Sequence, residues 1–199
     1  MSTWLDSFLQ KRSSEFFVRV DEDYLQDSFN LFGIKDRMTY FKEATNLLLN
    51  DQISQKVSDP KLIKKKAAIL YGQIHQRFLS TPDGLEKMYK KYKKSHFPKC
   101  PRVYCKGVSC FPYGVTDQLG EHKLMFYCPG CNDVYKIQLP EIDKVDGAYF
   151  GPSYVHMLFQ KYPDVIPNIK HQTYVPTVFG FRMCKESDVE VTNDDDSDL

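Results

Sequence analysis

The sequence predicts an α+β fold: an N-terminal helical lobe, then a small four-cysteine β module, then an extended C-terminal segment. Three observations carry this. Apolar residues recur at helical spacing through roughly the first 95 positions. Two short cysteine pairs follow, Cys100/Cys105 in CPRVYC and Cys128/Cys131 in YCPGCNDVY, set among short β-rich runs. Beyond them Pro163, Pro167 and Pro176 punctuate the chain as far as TYVPTVFGFRMC.

The helical elements are predicted one by one. Asp21, Glu22 and Asp23 resemble a catalytic carboxylate set, but they precede a helix starting near Tyr24, where acids stabilise the N-terminal dipole. TYFKEATNLLLN (39–50) sets Tyr40, Ala44, Leu47 and Leu48 on one face. Asp59-Pro60 reads as an N-cap followed by proline at the first helical position. Ile63, Ala67, Leu70, Ile74 and Phe78 then form an apolar stripe, with Lys64, Lys65 and Gln73 opposite. Thr81-Pro82 repeats the start signal; Leu85, Met88, Tyr89 and Tyr92 face inward, and Lys87, Lys90, Lys91 and Lys94 outward. His75, beside Ile74, is expected as a partly buried structural side chain.

The character changes near Phe97-Pro98. KLMFYC and DVYKIQL read as strands. Two tight cysteine pairs about 20 residues apart are the spacing of a closed four-thiolate site, most often structural zinc, with Pro129 and Gly130 supplying the second turn. Such a site leaves no open position for chemistry and points away from an enzyme. Iron and a redox-active CxxC are the rival readings; the second calls for a βαβ pattern that is absent here. Cys110 and Cys184 are left over, and Cys110 and His122 lie close enough in sequence to be rival ligands. Gly180 between two phenylalanines fits a hairpin, and TNDDDSDL is too polar to fold alone.

The 199 residues are 42% hydrophobic, enough for one sizeable domain or two small ones, and 14% aromatic, which suits small cores and interfaces. Net charge is +1 but uneven: Lys61 to Arg102 holds twelve Lys/Arg against Asp83 and Glu86, while Glu186 to the end holds seven acids and no base. This pattern is met by a solvated helix face and a disordered acidic tail, or by contacts with anionic partners. The start, MSTWLDSFLQKR, lacks a long apolar core and no apolar run of about 18 residues occurs, so an intracellular location without membrane contact is expected. No P-loop, kinase glycine loop or HRD-type motif is present. A zinc module beside a basic stretch also fits nucleic-acid binding through residues 61–102, the main alternative function, although no base-stacking aromatics share the lysine face.

Six segments, in order, resemble the casein kinase II regulatory (beta) subunit family: EFFVRVDEDYLQDSFNL (15–31), LYGQIHQRF (70–78), CPRVYC (100–105), YCPGCNDVY (127–135), DGAYFGPSYVHMLF (146–159) and VPTVFGF (175–181). The resemblance implies a non-catalytic subunit that forms a homodimer through its zinc-ribbon-like modules and docks two catalytic (alpha) subunits, stabilising them and modulating substrate choice. It implies zinc on Cys100, Cys105, Cys128 and Cys131, and kinase docking by Phe179, Gly180 and Phe181 with Tyr104 and Met157 nearby. Residues 1–95 would be the helical domain, 96–160 the zinc-binding dimerisation module, 161–185 the docking segment with its hairpin and 186–199 the disordered acidic tail. Cytoplasmic and nuclear locations are both expected, with acidic proteins as possible substrates. Three departures stand out. Phe179 replaces the tyrosine of many relatives, keeping the ring and losing a hydroxyl. NDQISQKVSDPKLIKKK is neutral to basic where many relatives carry a dense acidic loop, so polyamine binding is not expected. The usual N-terminal phosphorylatable serines give way to MSTWLDSF, while Ser187 and Thr192 each have an acid three residues on and become the candidate phosphorylation sites.

Overall fold

The computed structural model describes residues 3–54, 59–168 and 175–183. The chain divides into two compact units, Met1–Ile169 and Lys170–Leu199. The first unit combines helices with a small antiparallel sheet, and the second contains a short hairpin, so the predicted architecture is met.

Helix α1 (Trp4–Leu9) opens on a capping box: the Thr3 hydroxyl accepts from the Asp6 amide and the Asp6 carboxylate accepts from the Thr3 amide. Helix α2 (Glu22–Gln26) starts two residues before the expected Tyr24, so Glu22 and Asp23 lie in its first turn, while Asp21 at the N-cap makes no side-chain capping bond and pairs with Lys87. Helix α3 (Phe41–Asn50) packs on the long helix α4 (Pro60–Leu79), which Asp59 caps and Pro60 starts. Tyr40 departs from the expected stripe: it precedes α3 with a left-handed φ of 60° and is half exposed. Helix α5 (Pro82–Lys93) is capped by the Thr81 hydroxyl.

Phe16 ends a turn and residues 17–20 form neither helix nor strand, although they lie in the stretch expected to be helical. Phe16, Phe17, Val18 and Val20 are all buried, so their backbone needs partners away from water. Side chains of α4 and α5 supply them. The Tyr71 hydroxyl donates to the Val18 carbonyl (2.8 Å) and accepts from the Val20 amide (3.1 Å). His75 Nε2 accepts from the Val18 amide (3.1 Å). Lys91 Nζ donates to the carbonyls of Glu15 and Phe17 (2.7 Å to Phe17), and Lys87 Nζ to that of Arg19. Lys91 therefore points inward, contrary to the amphipathic reading, and burial brings its pKa down to about 8. His75 is fully buried, deeper than its position beside the stripe implies.

Strands β1 (Phe111–Tyr113), β2 (Met125–Cys128) and β3 (Asp133–Tyr135) form an antiparallel meander, with Phe111 opposite Tyr127 and Phe126 opposite Tyr135. The strand expected over DVYKIQL stops at Tyr135. Before β2 the chain pairs elsewhere: the Leu124 amide donates to the Val145 carbonyl (3.0 Å) and Lys123 bridges to Asp146. The inward residues of the sheet join the helical core: Phe126 meets Phe16 edge-on at 5.3 Å, and Phe111 stacks on Tyr92 of α5 at 4.5 Å. The DGAYFG loop then crosses α4, with the Tyr149 ring lying where a side chain on Gly72 would be. Helix α6 (Tyr154–Lys161) closes the unit, its Tyr154 hydroxyl donating to the Pro112 carbonyl. No helix among the described residues is long and apolar enough to cross a membrane.

In the second unit, β4 (Thr177–Val178) pairs with β5 (Phe181–Arg182) across a two-residue turn.

Candidate metal centre and C-terminal hairpin

The two cysteine pairs sit on two backbone knuckles. In the first, the Cys105 amide donates to the Arg102 carbonyl and the Val108 amide to the Cys105 carbonyl; Lys106 and Gly107 both take positive φ to turn the chain back. The Cys100 amide donates to the Val108 carbonyl at 2.7 Å, fixing the base of the loop. In the second, the Asn132 amide closes on the Cys128 carbonyl (2.9 Å), and Asn132 supplies the left-handed residue. Gly130 contributes through its amide, which donates to Cys128 Sγ (3.4 Å), and through its small size, since Val108 Cγ2 lies 3.3 Å from where its Cβ would be.

The four Sγ atoms of Cys100, Cys105, Cys128 and Cys131 lie within 4.8 Å of one another, and those of Cys100 and Cys131 are 3.9 Å apart. A tetrahedron with Zn–S bonds of ~2.3 Å has sulfurs ~3.8 Å apart. The donor set is soft, complete and three-quarters buried, which suits structural zinc. A second layer surrounds the sulfurs: the Tyr135 hydroxyl lies 3.1 Å from Cys131 Sγ, reaching across the β2–β3 turn. Sequence reasoning passes over Tyr135, although its position in the YCPGCNDVY hairpin is the signal that would find it. Cys110 is buried beside the group but outside the four. The Cys110 thiol beside Cys128 draws the Cys128 pKa below the ordinary thiol value. Burial holds Cys100 up at about 11, and Cys105 is raised for the same reason. Four thiols within 4.8 Å of one another cannot all ionise without a cation between them. His122 is exposed and outside the group.

The C-terminal residues have a different character. Phe179 and Gly180 occupy the turn with φ of 50° and 87°, the two positive values that a type I′ turn requires. Phe179 is 98% exposed and Phe181 79%. In the first unit Tyr104 is partly exposed in the Val103–Cys105 turn, and Met157 is exposed on α6. Cys184, Ser187 and Thr192 lie outside the described residues.

The basic stretch is partly engaged within the protein. Lys87 and Lys91 donate to backbone carbonyls, Arg77 donates to those of Asn30 and Phe32, Lys90 pairs with Glu86, and Lys93 with Asp164. Less of the charge is left for a phosphate backbone than the sequence implies, which weakens the nucleic-acid reading.

Residues 3–182 match the family model described as casein kinase II regulatory subunit. Similar curated proteins include a casein kinase II subunit beta of Schizosaccharomyces pombe, 40% identical over 90% of this chain and 78% of the relative. Another is the subunit beta of Dictyostelium discoideum, 36% identical over 92% of this chain and 69% of the relative. The subunit beta' of Drosophila melanogaster is 38% identical over 92% of this chain and 84% of the relative.

Proposed function

This chain belongs to the casein kinase II regulatory subunit family, and from that membership we propose that it is the non-catalytic partner which joins kinase catalytic subunits through a metal-stapled dimer. The observation that carries this is the closed four-sulfur cluster within a chain matched by the family model over almost all its described length. Four thiolates complete a tetrahedral ion, so the centre shapes a surface and performs no reaction. Cys100, Cys105, Cys128 and Cys131 would hold the zinc, and the zinc would cross-link two knuckles that a three-stranded sheet cannot hold alone.

Val103, at the tip of the first knuckle, is an 85% exposed aliphatic side chain, which suits the dimer contact. Docking of the kinase is assigned to the C-terminal hairpin. A phenylalanine at a left-handed turn position costs folding energy that asparagine or glycine would avoid, so an almost wholly exposed Phe179 is better accounted for by a partner than by folding. Phe181 beside it is the second aromatic anchor, Gly180 permits the turn, and Tyr104 and Met157 are proposed as further kinase contacts. The dimer would favour one kinase conformation by differential binding and recruit acidic substrates to exposed lysines of residues 61–102. Cytoplasmic and nuclear locations follow the kinase. Ser187 and Thr192 are proposed substrates of the docked kinase, and mass spectrometry of the complex after incubation with ATP should find them phosphorylated.

The test of the whole reading is co-expression with a casein kinase II catalytic subunit. A complex with equal numbers of both chains, two of each, and one zinc per regulatory chain is expected. A metal-free monomer that does not retain the kinase would overturn it.

A further inference from the structure

An open cavity of about 720 Å³ lies between the turn at Lys35–Arg37, the outer face of α4 and the loop at 117–119. Its lining includes none of the cysteines and no residue of the hairpin. Arg37 and Lys66 both line it, and neither side chain has an ion-pair or hydrogen-bond partner among the described residues. On α5, Lys87, Lys90 and Lys93 each pair with a carboxylate. Among the described residues one carboxylate lines the cavity, Asp117, which accepts from the neutral amide of Gln76 (3.0 Å) and pairs with neither cation. Two cations against one carboxylate leave the open space net positive.

The remaining lining narrows the ligand. Thr39, Gln73 and Gln118 bring neutral hydrogen-bonding groups to the same cavity. A phosphoryl group carries about −1.5 to −2 charge and three strong acceptor oxygens, enough to engage both cations and neutral donors together. A carboxylate carries about one charge on two oxygens and would leave part of this set unused. Arginine beside lysine is also the pairing that suits phosphate, one planar fork and one point charge. Met38, Ile69 and Leu119 complete the walls. A free ion would leave these apolar groups in water, whereas residues flanking a phosphorylated side chain would cover them. Lys66, Ile69 and Gln73 share one face of α4, at i, i+3 and i+7, so cation, apolar contact and amide stand in line along the helix.

We propose that this cavity binds a phosphorylated side chain of a polypeptide partner, with Arg37 and Lys66 as the charge anchors. The assignment concerns binding by this chain itself and stands whether or not the hairpin docks a kinase.

The test uses the full-length, zinc-loaded chain, a short peptide with one phosphoserine flanked by leucines, and its unphosphorylated twin. Fluorescence anisotropy should give the phosphopeptide at least about tenfold tighter binding than its twin. That preference should vanish in the R37Q/K66Q variant and persist in K136Q, a change at an exposed lysine outside the cavity. Amide shifts in the wild-type protein on adding phosphopeptide should centre on Thr39, Gln73 and Gln118, a readout that needs no variant to fold. Equal binding of the twin, an undiminished preference in R37Q/K66Q, or shifts centred elsewhere would overturn the proposal. So would inorganic phosphate competing as strongly as the peptide, which would make the site one for the free ion. An oligonucleotide binding there as tightly would reassign it to nucleic acid.

Discussion

Replacing His75 by glutamine should cost stability at neutral pH and cost much less in mild acid. In the native protein the imidazole is fully buried, with Nε2 accepting from the Val18 amide and Nδ1 2.8 Å from the Tyr149 carbonyl. A carbonyl can only accept, so the proton sits on Nδ1 and the ring is neutral. A second proton would set Nε2–H against the Val18 N–H. Burial draws the His75 pKa down to about 3, and the nearby Lys91 charge adds to this against the opposing Tyr149 hydrogen bond. In the unfolded chain the value is about 6.5. Between these values the unfolded state takes a proton that the native state refuses. The stabilisation is thus complete above about pH 6.5 and is lost as pH falls towards about 3. At pH 5 the loss amounts to about 2 kcal/mol, and at pH 7.5 it is negligible. Glutamine has no such proton. It would leave one or both backbone partners poorly satisfied, a cost of about 1–3 kcal/mol at pH 7.5. The gap between wild type and His75→Gln should therefore narrow by about 2 kcal/mol between pH 7.5 and pH 5. Urea unfolding of both proteins at both pH values, at one protomer concentration, measures it. Proton-linked loss of metal from the thiolates is common to both proteins and cancels in the difference. A gap of the same size at both pH values, or a His75 ring signal titrating near pH 6.5, would refute the reasoning.

Cys128→Ser should abolish stoichiometric zinc and leave the chain monomeric, read by elemental analysis and sedimentation; a metal-free dimer would contradict the staple. Phe181→Ala should weaken binding of the kinase catalytic subunit by at least about tenfold in calorimetry, with dimerisation unchanged. Phe179→Asn separates folding from recognition: asparagine tolerates the left-handed φ, so melting should hold or rise while kinase affinity drops. Unaltered affinity would remove Phe179 from the contact.

The parts legible in the sequence are those that local chemistry decides. Asp59-Pro60 and Thr81-Pro82 start helices because cap and proline act within one turn, and the structure begins α4 and α5 at those prolines. The cysteine pairs declare a metal site because their spacing constrains geometry by itself. The run at 16–20 is different. FFVRV has β composition, yet its partners are Tyr71, His75, Lys87 and Lys91, some fifty to seventy-six residues away on helices. No period in the sequence announces a helix face acting as the edge of a sheet. Lys91 is misread for the same reason: an amphipathic pattern assigns lysine to water, and only the unsatisfied carbonyls of Glu15 and Phe17 explain its inward turn. The cavity at Arg37 and Lys66 joins a turn, a helix and a loop distant in sequence, and it emerges only once they are packed.

That run also connects the metal centre to the helices, with a measurable consequence. Cys128 ends β2, and Phe126, two residues before it on the same inward face, packs edge-on against Phe16. Two residues beyond Phe16, the backbone at Val18 and Val20 is held by Tyr71 and His75 of α4. Removing the ion frees the knuckles, loosens β2 and withdraws the ring that seats Phe16. The Val18 and Val20 amides should then open more often, although neither contacts a cysteine. Adding a chelator at pH 7.5 should speed exchange of these two amides by at least about tenfold. Amides in the first turn of α4, whose cap is Asp59, should change less. If Val18 and Val20 keep their protection after the metal is stripped, the helical lobe stands independently of the module, and Phe16 is only a neighbour of the sheet.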